Sequence, residues 1–202
     1  MAQHAIDMPR VTERTAVRMD RKMWDTLISG AGAVVAVVLL ALAASAIYGG
    51  SFALDNVKDR LEPQNIVFSN EMTPPEKAVA GEFAGQKVDT GPEAEAFAAY
   101  IGLHLSEIGG GMTYSEASSD ARAFAAEIGE NPTEAQTAEL AGKEGLVQTL
   151  FRGETLRGLL LNAYAWATVG TITLYAGYGL MIAGLFLAIL AILGFRHARK
   201  VA

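Results

Sequence analysis

The stretch at residues 27–48, LISGAGAVVAVVLLALAASAIY, carries no charged side chain and is almost wholly apolar or small. As an α-helix its roughly 22 residues rise about 33 Å, enough to cross a hydrocarbon core of about 30 Å. A second uncharged run, residues 158–195, is longer. As one helix its roughly 38 residues reach about 57 Å, nearly twice the core, so only part of it spans. The two spans are therefore expected at residues 26–48 and 171–195. Residues 158–170 then form an uncharged lead-in at the outer interface, where Asn162, Tyr164, Trp166 and Thr168 suit the headgroup level.

Orientation follows from the basic residues beside the spans. Residues 1–25 hold Arg10, Arg14, Arg18, Arg21 and Lys22, and residues 196–202 hold Arg196, Arg199 and Lys200. The loop between the spans holds 8 basic and 18 acidic residues. The positive-inside rule then predicts a two-pass protein of the cell membrane with both termini cytoplasmic and residues 49–157 extracytoplasmic. A cleaved signal peptide is the competing reading, with Ala44-Ser45-Ala46 as its cleavage site. A leading segment of about 25 residues and an apolar run longer than the usual 7–15 favour a retained anchor.

The chain of 202 residues has room for one small domain besides two spans. It has no cysteine, which excludes disulfides, thiolate metal sites and thiol catalysis. Its three histidines, His4, His104 and His197, are scattered. A net charge of −6 argues against nucleic acid as a partner. No cofactor is expected.

The loop reads as a small helical bundle preceded by an irregular segment, giving an all-α membrane protein overall. Leu54, Val57 and Leu61 continue the first helix to Glu62, where Pro63 ends it. Residues 63–91 are irregular, with Pro74 and Pro75 as breaks, and residues 65–68 and 82–88 have the composition for a short two-stranded ribbon. Thr90 with Glu93 and Thr113 with Glu116 are capping boxes that start two helices, separated by Gly109-Gly110-Gly111. Asn131-Pro132 breaks the chain before a third helix that can run through Gly153 into the second apolar stretch. The expected core is Phe97, Ile101, Leu105, Phe124, Ile128, Val147, Leu150 and Phe151.

Catalytic chemistry finds little support. His104 has Glu107 at i+3 as a helical neighbour, a pair more typical of a surface than of a metal site. The acidic residues match no calcium-loop spacing, and no serine lies in a nucleophile elbow. Neither span contains Asp, Glu, His, Lys or Arg, which argues against an ion pathway. Small residues such as Gly30, Gly32, Ala36, Gly177 and Gly184 instead suit close helix contact. The most specific stretch is the juxtamembrane segment. Arg152, Glu154, Arg157, Asn162 and Trp166 are its candidate contact residues, with Glu154 and Arg157 spaced to pair at i,i+3.

The run LFRGETLRGLLLNAYAW at residues 150–166, with EFAGQKV at 82–88 and EIGGGMTYSEASSDAR at 107–122, resembles a family of small actinobacterial conserved membrane proteins. Some members of that family bear an automated label of aromatic ring-opening dioxygenase. An iron site of that kind takes two histidines and a carboxylate, and the loop offers His104 alone, so no catalytic residue is carried over.

The favoured expectation is a non-enzymatic membrane protein, in contact with lipid, whose extracytoplasmic helical domain binds protein. It would act as a homo-oligomer or as an accessory subunit of an envelope complex. The alternatives are an extracytoplasmic ligand-binding or sensor protein acting through a partner and, with less support, a ring-opening dioxygenase-type enzyme.

Overall fold

The computed structural model describes residues 21–200. The expectations that concern residues 1–20 and the last two residues lie outside it. Helices make up 86% of the structure, and among the described residues there is no strand, so the fold is all-α. Five α-helices follow in order: α1 Arg21–Leu61, α2 Pro74–Ala80, α3 Gly91–Ile108, α4 Tyr114–Ile128 and α5 Glu134–Lys200. Both α1 and α5 are long and apolar enough to cross a membrane. The chain divides into two compact units.

One unit pairs residues 21–41 with residues 180–200 as antiparallel helices. Small residues form the seam between them. A Cβ on Gly32 would touch that of Ala191 at 3.9 Å, and one on Gly184 would lie 2.9 Å from the Leu40 side chain. Ala36 and Ala191 are buried, whereas Val34, Val37, Ile182 and Phe186 are exposed. This inverts the order of a water-soluble core. It is the arrangement expected where hydrocarbon is the solvent and only close packing holds helices together.

The second unit comprises residues 42–179. Here α1 and α5 approach closely, since a Cβ on Gly50 would meet the Leu174 nitrogen at 2.7 Å and the Gly170 oxygen at 2.8 Å. The α1 helix ends at Leu61, with Pro63 in the following 3-10 turn Glu62–Gln64, and Asn65 in the left-handed region at φ 53° turns the chain. The expected ribbon is reduced to one antiparallel bridge, Val67 with Lys87. Two flanking bonds hold it, from Phe68 N–H to Gln86 O at 3.0 Å and from Val88 N–H to Ile66 O at 2.9 Å. Glu82 and Phe83, expected to be extended, lie instead in the 3-10 turn Gly81–Phe83.

The irregular segment also contains a helix that the sequence reading missed. Pro74 and Pro75 occupy the first turn of α2, where a proline loses no helical bond, and Thr73 and Glu76 close a capping box. The boxes expected at Thr90–Glu93 and Thr113–Glu116 both form and start α3 and α4. Thr133 exchanges bonds with Gln136 at the start of α5, which then runs 67 residues without interruption. The helix has no break at residue 157 or at residue 170, so the expected third helix and the second apolar run are one element.

The core of this unit centres on Phe68, which is 1% exposed. Its ring stacks on Phe83 at 5.7 Å and meets Phe97 edge-on at 5.1 Å and Tyr100 at 6.4 Å. Val57, Leu61, Met72, Val88 and Leu160 close around it. A smaller cluster joins Leu105, Ala117 and Leu150. Of the expected core, Leu105 and Leu150 are buried, and Phe97, Ile101, Val147, Phe124 and Ile128 are half-buried. Phe151 is exposed, a correction, because it lies on the side of α5 turned away from α3.

Candidate functional site

The five candidate contact residues sort by their position around α5, where each residue advances about 100°. Gly153, Leu160 and Ala167 share the buried side with Leu150. Arg157 lies beside that face and reaches across to α3. Its Nε donates to the Ala98 carbonyl oxygen at 3.1 Å, and its Nη1 donates to Glu154 at 2.8 and 3.0 Å. This carbonyl belongs to the interior of α3, so the guanidinium fixes one helix against the other. Gly102 leaves room for it, since a Cβ there would lie 2.9 Å from the guanidinium carbon. Glu154 and Arg157 thus form the expected pair, and they are engaged within the chain.

Arg152, Asn162 and Trp166 face the opposite way. Together with Phe151, Thr155 and Leu159 they form an uncovered stripe along α5, in which Phe151 is 52%, Leu159 65% and Trp166 59% exposed. Phe151 touches the Tyr114 ring of α4 at 5.7 Å, which anchors one end of the stripe.

Beside the stripe a groove of about 970 Å³ runs between α1 and α5, with α3 at its back. Its walls are Phe52, Ala53, Val57, Leu156, Leu159, Ala163 and Trp166, and Phe97 and Ile101 form the floor. Polar groups enter at Asn56, Arg60, Gln64 and Asn162. Arg60 Nε donates to Asn56 Oδ1 at 2.7 Å. This volume lies at the upper end of the range for small-molecule sites, about 300–1,000 Å³.

A separate ionisable cluster joins α2 to α3. His104 Nε2 meets Glu76 Oε1 at 2.7 Å, so its partner is Glu76 rather than Glu107, a correction to the i+3 pairing. The other oxygen, Oε2, accepts the Thr73 N–H at 2.6 Å. That backbone bond, then His104 and the Thr73 hydroxyl, hold the Glu76 carboxyl down at about 2. Tyr100 lies against His104 at 4.4 Å, and its hydroxyl is pushed up by burial and by the Glu76 carboxylate. Sequence spacing missed this cluster because Glu76 and His104 are 28 residues apart. The T-P-P-E capping box was its only local signal. None of these side chains borders the groove.

Among the described residues no three His, Asp or Glu side chains gather in a way that could hold a metal ion. The arrangement offers two surfaces, an exposed apolar stripe and an apolar groove with a polar end, and a His104–Glu76 hydrogen bond that joins α3 to α2. The chain matches no known family model, no curated protein and no solved structure.

Proposed function

We propose that the chain is a two-span membrane protein of the small actinobacterial kind it resembles, with both termini cytoplasmic, and that its extracytoplasmic helices act by protein contact rather than by catalysis. The observation that carries this reading is the uncovered stripe on α5. Phe151, Leu159 and Trp166 expose large apolar surfaces on one side of a helix, flanked by Arg152 and Asn162. Aromatic residues and arginine are the side chains that most often dominate a protein interface. The occupant is a helix of a second copy or of an accessory partner laid along the stripe. The Glu154–Arg157 pair serves a different purpose and holds α3 behind it.

A photo-crosslinker placed at Thr155 in the full chain, in native membranes, tests this. Capture of a second copy or of one partner chain is expected. Phe151→Ala and Arg152→Gln should each lower capture by roughly thirtyfold or less, the range of an interface residue that costs up to about 2 kcal/mol. Crosslinks to lipid alone, unchanged in both variants, would reduce the stripe to an interfacial anchor.

A further inference from the structure

We infer that the groove between α1 and α5 seats one phospholipid of the outer leaflet, with its phosphate at Arg60 and an acyl chain running down toward the membrane. The inference rests on the two-span topology proposed above, and the groove shares Leu159, Asn162 and Trp166 with the stripe. The groove is graded along its length. Gly49 and Phe52 at one end adjoin the predicted outer end of the first span, while Arg60 and Gln64 lie about three helical turns farther out. An outer-leaflet lipid has the same polarity, headgroup outward and tails inward. Between the two ends the walls are apolar, with Val57, Leu159 and Ala163 facing a space that the chain itself leaves unfilled.

The polar end fits an anion. Arg60 spends its Nε on Asn56, which orients the guanidinium, and no hydrogen bond or ion pair engages its two terminal nitrogens among the described residues. Those nitrogens present the fork that matches phosphate geometry. The acidic neighbours Asp55 and Asp59 do not line the groove. A phospholipid satisfies both ends at once, with its phosphate at Arg60 and its acyl chain along the apolar walls.

The test uses full-length protein reconstituted in nanodiscs containing a trace of phosphatidylglycerol with a photoreactive acyl chain. Peptide mapping should place crosslinks within residues 52–64 and 156–166. Arg60→Gln should lower labelling roughly tenfold, the loss expected for a hydrogen bond to a charged group. Ala163→Leu, which fills the groove, should lower it as much without touching the phosphate. Both variants must retain the parent's helical circular dichroism and melting midpoint; Asn56→Ala, which frees the guanidinium without removing it, serves where Arg60→Gln melts early and should label less than the parent. The inference is overturned by crosslinks confined to the spans, by equal labelling in the folded variants, or by equal competition from unlabelled diacylglycerol, which lacks the phosphate. Crosslinking of the groove to a second copy in place of lipid would overturn it as well.

Discussion

Arg157 shows how a pairing legible from spacing can sit beside a second, more distant contact. Its pairing with Glu154 follows from the i,i+3 register, and as an exposed pair it adds little stability. The bond to the Ala98 carbonyl is what distinguishes it, because that contact crosses from α5 to α3 over 59 positions. Arg157→Gln should therefore lower the melting midpoint of the detergent-solubilised protein, by a cost of about 1–2 kcal/mol, with no loss of membrane insertion. Gly102→Ala should act in the same direction, since its Cβ would displace the guanidinium. If Arg157→Gln melts like the parent yet fails to crosslink a partner, the residue belongs to the contact surface instead. Glu76 supports a prediction in pH. Its carboxyl sits at about 2 in the folded chain against an ordinary 4.5, so its stabilising effect is fully present above about pH 4.5 and fades as pH falls toward 2. The methyl resonances of Met72 and Ala80, which flank or belong to α2, should hold constant between pH 5 and about 4 and shift as the pH falls toward 2. Glu76→Gln should remove the dependence.

At the level of elements, those with local chemical signals were legible and those built by distant contacts were not. The starts of α3 and α4 follow from Thr90–Glu93 and Thr113–Glu116, because a capping box is complete within four residues. The same signal was present at Thr73–Glu76 but was overridden by reading Pro74 and Pro75 as breaks, although prolines in a first turn support a helix. The aromatic core around Phe68 was invisible, since Phe68, Phe83 and Phe97 lie on three segments with no shared periodicity. The groove escaped for the same reason, as its two long walls are separated by about a hundred residues of sequence. Of the candidate site, the type and spacing of Glu154 and Arg157 were readable, but the direction each faces depends on which side of α5 receives α3. The close crossing of α1 and α5 yields a further expectation. Gly50 approaches the backbone at Gly170 and Leu174, which cannot yield as a flexible side chain can. Gly50→Leu should force the helices apart and cost at least about 1–3 kcal/mol, the range for overpacking. Gly49→Leu, next to it with nothing within 4 Å of its Cβ position, should be tolerated far better in the same thermal melt.

For the whole molecule, the decisive question is which side of the membrane each part occupies, because both proposed surfaces require residues 49–157 to lie outside. One physical argument bears on the side and another on the hairpin. The first is charge: Arg21 and Lys22 flank the start of the first span, and Arg196, Arg199 and Lys200 flank the end of the second, while the intervening residues are predominantly acidic. The proposed cytoplasmic placement of both ends rests on the retention of such basic flanks. The second is packing: residues 21–41 and 180–200 run antiparallel with small residues inward and large apolar ones outward, as a membrane hairpin requires. In the proposed topology residues 49–157 lie on the side opposite both ends. Epitope tags at either terminus should therefore resist protease in intact cells and become sensitive once the membrane is opened. A protease site inserted after Asn131, in the exposed turn between α4 and α5, should be cut from outside in intact cells. Reversing the charge of the tail with Arg196→Glu, Arg199→Glu and Lys200→Glu should weaken this orientation and expose a fraction of the C-terminal tags. A C-terminal tag accessible in the parent protein would exclude the hairpin, and with it the outer-leaflet lipid and the extracytoplasmic partner together.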